Sequence, residues 1–203
     1  MAMTITAIKQ QVKQAGRYSV FVDGKYSFSL SEVALLESGI HSGLELDTSK
    51  LAEFKTMSAN DKAYGRALHY AMIRPRSEWE LRTYLQRKQA DPETAERIIA
   101  KLRRNDLVND LAFARSWVAS RRLLKATSRR RLTQELHQKR VSDDVIQQVL
   151  HEDETDERET LREIIAKKRQ QSKYKADDVK LMQYLARQGY SYDDIKSVLQ
   201  EEG

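Results

Sequence analysis

Leucines separated by four residues occur three times along the chain, at Leu81 and Leu85, Leu132 and Leu136, and Leu181 and Leu185, 51 and then 49 residues apart. Seven residues past the polar position that follows each pair (Lys88, Lys139, Gln188) stands a second apolar pair, also at i and i+4: Ala95 and Ile99, Ile146 and Leu150, Ile195 and Leu199. Two i, i+4 pairs around a short polar break predict two short amphipathic helices joined by a tight turn. A further helix fits ahead of each pair, over 62–73 (Ala67, Leu68, Ala71, Met72), 110–124 (Leu111, Ala114, Val118, Leu123) and 157–170 (Leu161, Ile164, Ile165). Each unit is then three helices in about 50 residues, too small to bury much alone, so neighbouring units share or extend a core. The breaks carry cap signals: Asp91-Pro92-Glu93, Ser142-Asp143-Asp144 and Ser191-Tyr192-Asp193-Asp194. Paired aspartates at the same place in each unit read as helix starts rather than as catalytic carboxylates or metal ligands.

Before residue 60 the period changes. YSVFVDGKYSFSL (18–30) alternates about Asp23-Gly24, a favoured two-residue hairpin turn, and ITAIKQQV (5–12) supplies a third strand. SEVALLESG (31–39) predicts a short helix capped by Ser31 and ended by Gly39. The expected fold is therefore mainly α: three tandem three-helix repeats (61–106, 107–152, 153–203) in an elongated array, with an N-terminal β-hairpin and short helix over 1–60.

Composition narrows the chemistry. Charged residues make up 33% of the 203 positions and aromatics 7%, which suits stacked small helical units better than one thick core. No cysteine is present, so disulfides and thiolate ligands are excluded. His41, His69, His137 and His151 lack metal-ligand spacing, no nucleotide-binding glycine loop or nucleophile elbow occurs, and neither catalysis nor a cofactor is expected. No apolar run approaches the ~18 residues of a membrane helix, and the N-terminus lacks the apolar centre of a signal peptide; a cytosolic protein without a membrane partner is expected.

The net charge of +6 is unevenly placed: −1 over 1–61, +10 over 62–151 and −3 over 152–203. LAFARSWVASRRLLKATSRRRLTQ (111–134) holds Arg115, Arg121, Arg122, Lys125, Arg129, Arg130 and Arg131 and no acid. Arg115 and Arg122, seven apart, share a helix face, and Arg129–Arg131 begin a helix against its dipole. That unfavourable placement points to an external anion or an acidic protein surface, set against an ordinary solvated face. KKRQQSKYK (167–175) is a secondary candidate through Lys167, Lys168, Arg169, Lys173 and Lys175, with Tyr174 interleaved. Trp79 and Trp117 are assigned to core packing in preference to base stacking. The acidic HEDETDERE (151–159) reads as a linker and the first turn of a helix.

RPRSEWELRTYLQRK (74–88), DLVNDLAFARSWVASR (106–121), SRRRLTQELHQKRVSDDVI (128–146) and LMQYLARQGYSYDDI (181–195) together resemble the successive signatures of the RecX regulatory family, over roughly residues 60–200. The resemblance implies a bacterial protein that binds the RecA recombinase filament on single-stranded DNA, directly or through the filament. It also implies modulation, mostly inhibition, of RecA activity. A monomer is expected. The glycine that the family often has after the second helix is kept at Gly189, while Gln89 and Arg140 replace it in the first two units, which implies differently shaped turns there. The alternative drawn from the residues is an autonomous DNA-binding helical-repeat protein, since three-helix units with a basic helix can act as helix-turn-helix modules.

Overall fold

The computed structural model describes residues 2–125, 127–175 and 177–201, with Lys125 described by its backbone alone. It divides into two compact units, Met1–Arg74 with Leu81–Leu107, and Pro75–Glu80 with Val108–Gly203.

The first unit opens with an antiparallel sheet of β1 (Met3–Gln10), β2 (Arg17–Val22), β3 (Lys25–Ser31) and β4 (Glu45–Leu46), in the order β3-β2-β1-β4. The β2–β3 hairpin turns at Asp23 and Gly24, both at positive φ (48° and 77°), as a two-residue turn matched to strand twist requires. Alternate residues Ile5, Val20, Val22, Phe28 and Leu30 point to one face and pack with Ile40, Leu46 and Phe54. Helix α1 (Glu32–Ser38) is capped as expected by Ser31, whose Oγ accepts from Ala34 N, and ends at Gly39 in the left-handed region (φ 66°).

Helix α2 (Thr48–Ile73) starts well before the expected 62, with Asp47 as its N-cap. Position 60, expected to divide the N-terminal element from the first repeat, lies inside this unbroken helix. Its first half covers the sheet: Phe54 is buried, and Ser58 Oγ donates to Ser29 O at 2.7 Å. Asp61 holds Arg17 at 3.0 Å and accepts from Ser31 N. The second half turns Ala67 and Ala71 inward and packs against α4 (Pro92–Arg104). Between them α3 (Glu78–Arg87) buries Leu81 and Leu85, and Tyr84 stacks on Tyr70 at 4.2 Å. One helix thus serves both the sheet and the first three-helix repeat.

The second unit holds two repeats: α5 (Asp110–Lys125), α6 (Arg129–Gln138), α7 (Asp143–Glu152), then α8 (Glu157–Arg169), α9 (Asp178–Arg187), α10 (Tyr192–Glu201). The expected leucine pairs are fully buried in each, with Ile146 and Ile195 beside them. Tyr174, expected within a basic binding stretch, is a core residue at 7% exposure.

The joint between these two repeats is closely fitted. The turn after α9 lies on the start of α6: Ser128 N and Oγ both donate to Gln188 O, at 3.4 and 3.0 Å, and Arg131 donates to Arg187 O. Lys139, in the turn after α6, reaches Glu80 at the start of α3 at 2.8 Å, and Ser77, the counterpart of Ser128, is fully buried. The Lys139–Glu80 pair ties Pro75–Glu80 into the second unit.

Candidate functional site

The basic run of 111–134 forms α5 and the first turn of α6. Packing of α5 along α7 carries Arg115 and Arg122, on one helix face, to the acidic stretch that begins at the end of α7. Arg115 holds Glu152 in a fork, Nε and Nη2 each 2.8 Å from a carboxylate oxygen. That hydrogen bonding pulls the Glu152 carboxyl down to about 2. Arg122 is enclosed: Nε and Nη2 lie 2.9 and 2.6 Å from Asp153, and Nη1 donates to Thr127 O at 2.6 Å and to Glu157 at 3.3 Å. Burial pushes the Asp153 carboxyl up, but hydrogen bonds from Thr155 and Arg122 and the Arg122 charge outweigh it and hold the group below its ordinary range.

Arg121 lies on the other side of α5, 2.6 Å from Glu135 and over the Trp117 ring at 4.5 Å. Trp117 Nε1 donates to the same carboxylate at 2.9 Å, and Arg131 Nε approaches it at 3.4 Å. Burial raises the Glu135 carboxyl, and the hydrogen bonds from Arg121 and Trp117 more than reverse that. Trp117 packs against the repeat core, as assigned from sequence; Trp79 is 39% exposed.

The anion expected at the start of α6 is internal. Glu157, from the first turn of α8, accepts from Arg129 N, and Arg129 Nη2 donates to Asp153 O at 3.3 Å. A carboxylate at a helix N-terminus offsets the charge of three consecutive arginines. The acidic run 151–159, read from sequence as a linker, is the mate of the basic run. Two opposite charge runs either side of a repeat boundary were the signal for this.

What remains outward is smaller. Arg130 forms no hydrogen bond or ion pair with the described residues and is exposed. The Lys125 side chain lies outside the described residues. Of the secondary candidates, Lys168 Nζ sits over Tyr184 at 4.5 Å, Lys173 Nζ over Tyr174 at 5.3 Å, and Arg169 binds Tyr174 O at 3.1 Å and Asp178. Lys167 and Lys175 are exposed.

The sequence pattern placed Leu123 on a buried face, yet Leu123 and Leu124 are 85% and 72% exposed. They border a cleft of about 600 Å³ with Ile164, Tyr184, Arg131, Lys167 and Lys168, and with Glu135 and Glu163. Exposed leucines beside cations form a surface suited to a protein partner with apolar and acidic groups. Among the described residues no cluster of three or more His, Asp or Glu side chains could hold a metal ion, and no helix is long and apolar enough to cross a membrane.

Four family models match in order: the RecX N-terminal domain over 3–47 and the first, second and third RecX three-helix domains over 63–102, 109–150 and 155–199. The chain belongs to the RecX regulatory protein family. It is 30% identical to the regulatory protein RecX of Bacillus pumilus over 97% of this chain and 76% of that protein. It is 33% identical to the RecX of Lactobacillus johnsonii over 75% of this chain and 56% of that one. A crystal structure of regulatory protein RecX matches with a TM-score of 0.75 at 27% identity, covering 98% of this chain and 99% of the other. RecX from Lactobacillus salivarius matches at 0.60 and 26% identity, over 70% and 95%. Residues 48–62, between the first two RecX matches, form the half of α2 that covers the sheet.

Proposed function

We propose that this RecX chain regulates the RecA recombinase. It binds the RecA filament on single-stranded DNA as a monomer in the cytoplasm. There it holds down ATP hydrolysis, strand exchange and coprotease activity during recombinational repair and the SOS response. The observation that carries the reading beyond family membership is the exposed Leu123–Leu124 pair beside Arg131, Lys167 and Lys168, a surface for protein rather than for a small substrate. Of the cations expected from sequence, Arg130, Lys167 and Lys168 are the ones to contact the filament. Arg115 and Arg121 act by holding the helices of the second repeat together, and Arg122 by tying that repeat to the start of the third.

The test is RecA ATPase on single-stranded DNA titrated with the protein, with binding to the same bare DNA measured alongside. Inhibition well below the concentration that coats bare DNA is expected. Leu124→Glu should raise the concentration for half-inhibition about tenfold or more at unchanged melting temperature. Inhibition only where the DNA itself is saturated would replace this reading with an autonomous DNA-binding protein.

A further inference from the structure

We propose that the first unit carries its own binding groove for single-stranded nucleic acid, between the β1–β2 turn and α2, with Lys62, Arg66 and His69 as the phosphate-contacting side chains and Tyr26 as the stacking face. This proposal does not rest on the RecA reading.

The groove, of about 850 Å³, is lined on one side by Gln11, Gln14 and Gly16 and on the other by the α2 face of Lys62, Gly65, Arg66 and His69, with Tyr26 and Tyr84 at its edges. No acidic residue lines it. The two other clefts described both contain carboxylates: Glu135 and Glu163 in one, Asp156, Glu157 and Asp194 in the other. Residues 62, 66 and 69 follow helical spacing and fall on one face. Their side chains form no hydrogen bond or ion pair with the described residues, whereas Arg17, the remaining cation of the lining, is answered by Asp61 at 3.0 Å. Lys88, over the Tyr84 ring at 5.8 Å, adds a further cation at the margin. Arg115, Arg121 and Arg122 are answered by internal carboxylates, whereas these cations are left unanswered in a groove without acids.

Gly65 is the second observation. A glycine inside a helix weakens it, and is normally explained by a close neighbour. Here a Cβ would meet nothing within 4 Å, so no packing within the described residues demands glycine. Its effect is to leave the floor of the groove open between Lys62 and Arg66, so that a backbone can approach the helix. Tyr26 is 54% exposed, steadied by Phe21 in an edge-to-face pair at 6.2 Å. Cations that track a phosphate backbone beside an accessible aromatic ring are what unpaired strands require; a duplex keeps its bases from such a ring. An acidic protein would use the cations but not the open floor and ring.

The experiment measures anisotropy of labelled oligothymidylate, oligouridylate, a duplex and polyglutamate against the full chain and two variants, over a salt series. Lys62→Glu with Arg66→Glu should lower affinity for the single strand about tenfold or more and reduce the salt slope by about 0.7 for each phosphate no longer neutralised. Gly65→Leu should weaken binding at least about fivefold by filling the floor, while helicity and melting temperature hold or rise. The two single-stranded arms tell DNA from RNA. Wild-type affinity and slope in both variants would overturn the proposal, as would equal affinity of wild type for the duplex. So would a loss confined to an acidic polypeptide such as polyglutamate. The RecA reading fails separately, through ATPase inhibition that is absent or insensitive to Leu124→Glu whatever the groove binds.

Discussion

At Gln89, Arg140 and Gly189 the same turn is built from three different residues. All three adopt positive φ (59°, 57° and 92°), so the first two turns keep the backbone shape that their lack of glycine argued against. An L side chain there costs roughly 1–2 kcal/mol, partly offset by the greater freedom glycine has when unfolded. Gln89→Gly and Arg140→Gly should therefore each stabilise the protein by up to about 1 kcal/mol in urea unfolding. Gly189 is different in kind. A Cβ there would collide with Ser128 Oγ and lie 2.7 Å from Arg131 Cβ. Gly189→Ala should cost about 3 kcal/mol, from strain and overpacking together. The arginines divide in the same way. Arg122→Ala leaves Asp153 buried without its partner and should destabilise by about 3 kcal/mol, while Arg130→Ala should leave the urea midpoint unchanged.

At the scale of elements, helix starts do two jobs. Asp91 and Ser191 accept from Thr94 N and Asp194 N at 2.9 and 3.1 Å, as their sequence positions suggested, whereas Ser142 stands at the N-cap without a side-chain cap bond. Ser128 caps α6 through Arg131 N at 3.2 Å and also donates to Gln188 O across the repeat joint. Ser128→Ala should thus cost about 2 kcal/mol, the cap plus the shorter of the two hydrogen bonds to Gln188 O, and Ser142→Ala less than about 0.5 kcal/mol; equilibrium urea unfolding of the two variants separates them. The helices of each repeat were legible because leucines at i and i+4 must face a core. The first half of α2 was not, because Leu51, Phe54 and Ser58 meet a sheet rather than a helix of the repeat, and the repeat pattern does not reach them.

At the scale of the whole molecule, charge is spent on assembly. Asp153 and Glu135 are held below their ordinary ranges by partners that exist only in the folded second unit. Unfolded, they titrate near ~3.9 and ~4.3. The folded state then binds fewer protons, so these pairs contribute fully above those values and are lost as pH falls through the lower folded ones. Stability should be level from neutral pH to about 5 and fall below about 4. Asp153→Asn should shallow that acid limb, read as urea midpoint against pH.

The sequence by itself determined the three repeats, their helix pairs, the hairpin at Asp23-Gly24 and the family, because periodicity, caps and turn chemistry are local and survive without neighbours. Only the tertiary structure decided which charges are available. A run of seven cations looks the same whether it faces solvent or carboxylates some 30 residues away, and the packing of α5 on α7 turned Arg115 and Arg122 toward Glu152 and Asp153. The same packing left Leu123 and Leu124 outside, on a stretch whose spacing alone had placed Leu123 in the core.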